Sequence, residues 1–242
     1  MGRIKLYRSQ GEPCGYFSNQ TSHSLFVSPD YQPDQHEASG LSELGFRRSG
    51  TLQYRPDCDG CNRCIPIRLP VNQFQSKRRF RRITRKNTQL TVSAHNPTYS
   101  EERYNLYRRY INSRHSSGSM GNPTVNDFER FLCINTGYTQ FVEFRDGDTL
   151  VCVTVIDQFI QGLSAVYTFF EPQLSHLSLG VYAVLWQIDE AKRQELPFLY
   201  LGYLIHDSPK MSYKEEFQPL EAFSEQQWQP LPLHNSPLSA KE

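Results

Sequence analysis

Along the first 70 residues the hydrophobic positions keep no helical period, and Pro13, Pro29, Pro33, Pro56, Pro66 and Pro70 interrupt them. Short strands joined by loops are predicted there. The pattern changes at Asn96-Pro97, a capping residue followed by the imino acid that suits a first helical turn. Tyr104, Tyr107 and Ile111 then recur at helical spacing, and Asn122-Pro123 opens a second helix with Phe128, Phe131 and Leu132 as its apolar face. Beyond that helix the period drops to that of strands. Thr139–Phe144 and Thr149–Ile156 flank Asp146-Gly147-Asp148, which reads as a hairpin turn, and Leu163–Phe170 forms a third strand. Val181, Val184, Leu185 and Ile188 mark a helix entered through Ser178 and stopped by Pro197, after which Phe198–Leu204 returns as a strand. After Phe223 the chain is rich in Pro, Gln and Ser, which predicts an extended or mobile tail. No internal repeat is visible.

The order helix, helix, three antiparallel strands, helix, strand defines an α+β class. It is the order of the acyltransferase fold used by the GNAT superfamily, a mixed, mostly antiparallel sheet flanked by helices. The chain therefore divides into a small Cys-rich N-terminal subdomain at 1–72, a GNAT-like domain at 73–223 and an extended tail at 224–242.

The chain has 242 residues, and aromatics at 13% offset a modest aliphatic share, so a sizeable core is available. No apolar run approaches the ~18 residues a membrane span needs. Met1–Gln10 carries Arg3, Lys5 and Arg8 but no apolar run, which argues against a secretory leader and for a cytoplasmic protein. The net charge of +1 conceals an asymmetry: Arg47–Lys86 holds twelve Lys and Arg against Asp57 and Asp59 alone. Seven of the twelve are Lys77, Arg78, Arg79, Arg81, Arg82, Arg85 and Lys86. Such a run points to a polyanionic partner, nucleic acid first, because guanidinium groups bind phosphate in a fork. A solvated basic face or a targeting run is the plainer alternative.

Cys58, Cys61 and Cys64 follow C-x2-C-x2-C spacing, and Cys14 can supply a fourth thiolate. That count suits tetrahedral zinc or an iron–sulfur cluster. The alternative is four reduced thiols packed in a small subdomain. Cys133 and Cys152 fall on a helix face and a strand and read as buried hydrophobes.

Several blocks together carry a family resemblance. They are Pro13-Cys14-Gly15-Tyr16, Ser24-Leu25-Phe26-Val27, Gly45-Phe46-Arg47-Arg48-Ser49-Gly50, and Tyr54-Arg55-Pro56 leading to the three clustered cysteines. Further on come Gly162–Phe169, Ser178-Leu179-Gly180, Tyr200-Leu201-Gly202-Tyr203 and Lys210-Met211-Ser212-Tyr213-Lys214. In this order, over nearly the whole chain, they resemble the arginyl-tRNA–protein transferase family, most closely its bacterial aspartate/glutamate leucyltransferase branch. One departure is Glu171-Pro172, where Asp-Pro is expected. The resemblance implies transfer of an amino acid from aminoacyl-tRNA to the α-amine of a protein that begins with Asp or Glu. The product is marked for degradation through its new N-terminus. The bacterial branch is expected to use leucyl-tRNA, with arginyl-tRNA as the alternative donor. Some eukaryotic members carry an iron–sulfur cluster or haem, through a different cysteine arrangement.

Such a reaction needs no cofactor for activation, since the donor is an ester. The nucleophile is an amine of ordinary pKa ~7.7–8.0, so positioning matters more than a strong base. An oxyanion must be stabilised and a proton returned to the leaving ribose hydroxyl. Tyr203, Lys210, Tyr213 and Lys214, at and after the last main strand, are the catalytic candidates. For the two tyrosines the competing reading is core packing with a satisfied hydroxyl. Arg47 and Arg48 are rival cations for the acceptor's acid, beside Lys210 and Lys214. Leu163–Phe170 and Val181–Leu185 can form apolar walls, and Tyr167, Phe169, Ser178 and Gly180, with Arg47 and Arg48, are the substrate-binding candidates. Lys77–Lys86 is the tRNA surface. His23, His115 and His206 are further groups able to move protons. Ser116–Gly121 reads as a loop able to close on the tRNA end.

Two rival readings differ in class. A CoA-dependent acetyltransferase would need a Q/R-x-x-G-x-G/A loop, whereas Leu177-Ser178-Leu179-Gly180-Val181-Tyr182 has one glycine of the pair and no leading Gln or Arg. A non-catalytic RNA-binding module with a cysteine cluster would leave Lys210–Lys214 without a role. Donor identity is weakly legible: an arginyl group would want acids, and the transferase strands offer only Glu143 and Asp157.

Overall fold

The computed structural model describes residues 4–114, 121–208 and 211–232. The chain opens with β1 (Leu6–Arg8), β2 (Glu12–Pro13), β3 (Thr21–Ser22) and β4 (Ser24–Val27). Helix α1 (Gln35–Glu43) follows, started by a capping box in which Asp34 accepts from the Glu37 amide and Glu37 reaches back to the Asp34 amide. Then come β5 (Arg47–Ser49), β6 (Leu52–Pro56) and β7 (Ile65–Pro70). The basic run is helix α2 (Arg78–Lys86), whose buried positions are Phe80 and Ile83. Two apolar residues three apart suffice to seat a short helix while every charge stays outside. Strand β8 (Thr91–His95) leads to α3 (Glu101–Arg114) and α4 (Val125–Leu132). Helix α3 starts later than Asn96-Pro97 suggests, because Ser100 accepts from the Arg103 amide. Thr124 and Asp127 form the capping box of α4. The remainder is β9 (Thr139–Asp146), β10 (Thr149–Gln158), β11 (Gly162–Phe170), α5 (Leu179–Arg193), β12 (Phe198–Leu204), β13 (Leu220–Ser224) and β14 (Gln227–Leu231).

The large sheet runs β14-β13-β7-β12-β11-β10-β9-β8, and the smaller one β1-β4-β6-β5. Every neighbouring pair is antiparallel except β11 and β12. The class is thus α+β, with a mostly antiparallel sheet flanked by helices. One face packs Leu163, Leu199 and Phe144 against α5 and α2 through Ala183, Ile188 and Phe80. The other packs Phe141, Val153 and Phe169 against Leu106, Tyr107 and Ile111 of α3 and Phe128 of α4. Full burial of each such large side chain contributes about 1.5–3 kcal/mol.

Two segments behave differently from their composition. Strand β7 comes from the Cys-rich part of the chain, yet it sits inside the large sheet between β12 and β13. The start of the Pro- and Gln-rich tail pairs as β14 against β13, and Trp228 donates from Nε1 to the Glu43 carbonyl at 3.0 Å. Residues 233–242 lie outside the described residues.

Candidate active site

Parallel neighbours β11 and β12 pair over only three positions, Gly162–Ser164 with Phe198–Tyr200. Beyond these the strands separate at their C-terminal ends and open a fork. Both walls carry irregularities: β11 shifts register against β10 at Val155/Ile156, and β12 against β7 at Tyr200/Gly202. Bulges of this kind turn backbone carbonyls out of the ladder.

Arg47 fills the fork from the small sheet. Its Nη2 donates to the Ala165 carbonyl at 2.6 Å and the Val166 carbonyl at 3.3 Å, and its Nη1 to the Leu201 carbonyl at 3.4 Å. The matching residue is Gly202, with φ +75°, where an added Cβ would stand 1.2 Å from Arg47 Nη1. Both its backbone conformation and the guanidinium demand glycine. Arg48, the next residue of β5, faces the opposite way. It is buried and makes a bidentate pair with Asp157, Nε–Oδ2 and Nη2–Oδ1 both at 2.8 Å, while Nη1 donates to the Gly50 carbonyl. Strand alternation thus separates the two sequence candidates: Arg47 reaches the fork, and Arg48 ties the two sheets together.

Lys214 lies in a short 3-10 turn, Ser212–Glu216, after β12. It is 7% exposed, and Nζ donates to the Tyr203 carbonyl at 2.6 Å and contacts Met211 Sδ at 3.6 Å. Burial, reinforced by the positive charge of Arg47, lowers its pKa to about 7. Tyr203 is also buried, but its hydroxyl donates towards the carbonyls of Gly45 at 3.0 Å and Tyr54 at 3.1 Å. It behaves as a core tyrosine with a satisfied hydroxyl that carries the fork's backbone. Tyr213 keeps an exposed edge on the same turn. Lys210 lies outside the described residues, as do His115 and the loop positions 116–120. His206 pairs through Nδ1 with Glu215 Oε1 at 2.5 Å, and His23 Nδ1 meets the Ser9 carbonyl at 3.2 Å.

The β11 wall is aromatic. Half-buried Tyr167 meets Phe131 at 5.1 Å and Tyr110 at 6.5 Å between ring centroids, and Tyr110 meets Phe170 at 4.9 Å. Phe169, by contrast, is wholly inside the core against Tyr107 and Phe128. Ser178 takes a left-handed conformation at the start of α5 with no side-chain cap bond. A Cβ at Gly180 would lie 3.0 Å from Cε1 of Phe170, so that ring covers the helix start. Tyr110, Phe131 and Gly202 were not among the sequence candidates, whereas Phe170 closes the strand Leu163–Phe170 that was expected to form an apolar wall. The three rings sit on elements whose helical or strand period is legible, but their convergence depends on how α3 and α4 cross the sheet.

All seven basic side chains of the α2 region are exposed. Lys77 donates to the Glu216 carbonyl, Arg79 pairs with Glu216, Arg81 bonds the Ser76 carbonyl and Lys86 the His176 carbonyl. Arg78, Arg82 and Arg85 have no protein partner among the described residues. The helix is bolted to the Lys214 turn beneath this face, where Phe80 stacks on Phe217 at 4.9 Å.

Cys14, Cys58, Cys61 and Cys64 are free and half-buried. Burial pushes the Cys64 thiol up to about 11, and the thiols of Cys58, Cys14 and Cys61 act in the same sense. Cys58 Sγ is turned to the His23 backbone, at 3.3 Å from the amide. Among the described residues no group of three or more His, Cys, Asp or Glu is arranged to hold a metal ion. The four thiols lie near enough for Cys58, Cys14 and Cys61 to act on Cys64.

The family match and the related proteins agree with one another. Residues 12–82 match the description "Arginine-tRNA-protein transferase, N terminus" and residues 102–224 its C-terminal counterpart. The chain is 45% identical over 228 residues to an aspartate/glutamate leucyltransferase of Pseudomonas fluorescens strain SBW25, covering 94% of this chain and 97% of that one. It is 44% identical over the same shares to a protein of that name from Pseudomonas putida strain W619. Among solved structures, L-PGS from Bacillus licheniformis matches with TM-score 0.45 and 13% identity, over 69% of this chain and 58% of that one. The chain belongs to the arginine-tRNA-protein transferase family. No helix among the described residues is long and apolar enough to cross a membrane.

Proposed function

We propose that this enzyme moves leucine from leucyl-tRNA to the α-amine of proteins that begin with Asp or Glu, on a GNAT-like fold. The product is marked for N-degron proteolysis in the cytoplasm. The observation that carries the reading is the pairing of Arg47 and Lys214 at the fork.

The two cations suit different tasks. A guanidinium stays charged at every physiological pH and presents five donors. Three contacts to carbonyls leave Arg47 Nε–H and one Nη1–H for a carboxylate. Lys214, with a pKa of about 7, is a poor permanent cation and a suitable base. As a neutral amine it donates to the Tyr203 carbonyl and keeps its lone pair for the acceptor's ammonium proton. The freed amine attacks the ester carbonyl, the C–O bond to ribose breaks as the proton held on Lys214 passes to the departing oxygen, and Lys214, neutral again, takes the second proton that the attacking nitrogen sheds in becoming an amide. Ester activation comes with the donor, so no cofactor enters the sequence of steps.

Donor identity is supported by the acids. Glu143 is held by Arg103 and Arg145, and Asp157 by Arg48, so neither is open to an arginyl side chain. The apolar rings of Tyr110, Phe131, Tyr167 and Phe170 suit leucine. Phe170 over Gly180 also argues against a CoA pyrophosphate at the start of α5. The exposed arginines of α2 are proposed to take the phosphates of the tRNA. The test is transfer from radiolabelled leucyl-tRNA, arginyl-tRNA and acetyl-CoA, side by side, to an Asp-started peptide. Leucine alone should appear on the peptide. Arginine alone would overturn the donor, and acetyl transfer the reaction.

A further inference from the structure

The register of the small sheet lines up one side chain from each strand. Tyr7 of β1 lies opposite Phe26 of β4, Phe26 opposite Tyr54 of β6, and Tyr54 opposite Arg47 of β5. Directly opposed residues in antiparallel strands share a face, so the four side chains form a single row. It starts at the exposed edge strand and ends at the fork. Ring contacts continue it: Phe26 meets Tyr54 at 5.9 Å, and Tyr54 meets Tyr203 at 6.0 Å. The outer end of the row opens into a groove of about 430 Å³, lined by Tyr7, Arg8, Phe26, Pro29, Asp30 and Leu52 among others. Tyr7 and Leu52 are 52% and 37% exposed, large apolar surfaces that no part of the fold covers among the described residues.

We infer that this row is the track on which the acceptor polypeptide lies, its second to about fifth residues crossing Tyr54, Phe26 and Tyr7 while its first residue meets Arg47. The inference rests on the reading of Arg47 proposed above.

Length, charge and continuity favour a polypeptide. Strands ~4.8 Å apart put Tyr7 roughly 14 Å from β5, which about four extended residues at ~3.3 Å each will span. Arg8, the one cation lining the groove among the described residues, is occupied by Asp57 and Asp59, and Asp30 adds a further acid. A phosphate backbone would be repelled there, whereas α2 offers three unpartnered arginines. The two substrates thus reach the fork from different sides, the RNA over α2 and the polypeptide over the small sheet. Aromatic floors take main chain and side chains of varied sequence, as an enzyme reading only the first residue requires.

The test compares a dipeptide and a hexapeptide that both begin with Asp, in transfer assays, for the wild type and for Tyr7→Ala, Leu52→Ser and the control Ile160→Ser. Ile160 is similarly exposed but lies in the β10–β11 turn. Each groove change should raise KM for the hexapeptide roughly five- to tenfold by removing apolar contact, with the dipeptide unaffected and the control silent. Equal effects on both peptides, or none, would overturn the track. A rise confined to the KM for aminoacyl-tRNA would assign the groove to RNA and also overturn it. Anisotropy of a labelled hexapeptide, read without any donor, separates the two readings. If binding depends on Tyr7 but nothing is transferred, the track stands and the proposed reaction falls. If binding ignores Tyr7, the track falls alone.

Discussion

Lys214 illustrates how a buried base is made without an acid beside it. Its carbonyl partner bonds the ammonium more strongly than the amine, but desolvation and the charge of Arg47 outweigh that preference and favour the neutral form. The folded pKa of about 7 lies below the ordinary 10.5. Between those values the unfolded chain binds the extra proton, so stability rises with pH through that window. Below it both states are protonated and the penalty of burying the charge is fully present. Lys214→Met should abolish this rise, which urea unfolding at several pH values on either side of neutrality would show. The same variant should lose transfer roughly a hundredfold or more, the usual contribution of general base catalysis. Gly202→Ala should be nearly as damaging, because a methyl group there displaces the Arg47 guanidinium, and thermal unfolding together with the transfer rate would register it. At this scale the sequence names both arginines but cannot choose between them. The choice follows from strand alternation in β5, and a strand of three residues leaves no period to read.

At the scale of elements, α2 separates two roles that its sequence presents as one run. Lys77 and Arg79 hold the turn that carries Lys214, while Arg78, Arg82 and Arg85 are free to meet phosphate. Replacing the latter three by Ala should flatten the salt dependence of tRNA binding by roughly 0.7–0.9 in log–log slope per lost contact, as measured by filter binding over a salt series. An unchanged slope would mean that RNA docks elsewhere. The long strands and α3, α4 and α5 were legible because their hydrophobic periods run over many residues. The helical state of α2 was hidden behind charge, since only Phe80 and Ile83 mark its inner face. Strand β14 was hidden by composition: the tail reads as extended or mobile, and its anchoring through Trp228 is a long-range contact with Glu43.

Over the whole molecule Arg68 on β7 ties α1 and the β13–β14 hairpin to the large sheet. Its guanidinium lies 3.5 Å from the Phe198 ring centroid and 4.5 Å from that of Trp228, and it pairs with Glu43 and Glu221. α1, the large sheet and the terminal hairpin therefore meet at one residue. Trp228→Ala should lower the thermal midpoint and transfer together, since β13, β7 and β12 back the fork in sequence across the sheet. The general architecture could be anticipated from element order, but the seating of the Cys-rich segment in the large sheet could not, because β7 shows no pattern that distinguishes an inner strand from a loop-bound one. Transfer at the fork turns on the charge of Arg47, and selectivity for the acceptor's first residue reads that charge out. Transfer to peptides beginning with Asp and with Asn should differ in kcat/KM by roughly ten- to a hundredfold in the wild type, the worth of a charge-assisted contact. In Arg47→Met, folded by circular dichroism, that ratio should fall to about one. A variant that still prefers Asp as strongly as the wild type would contradict the assignment of Arg47 as the reader of the acceptor acid.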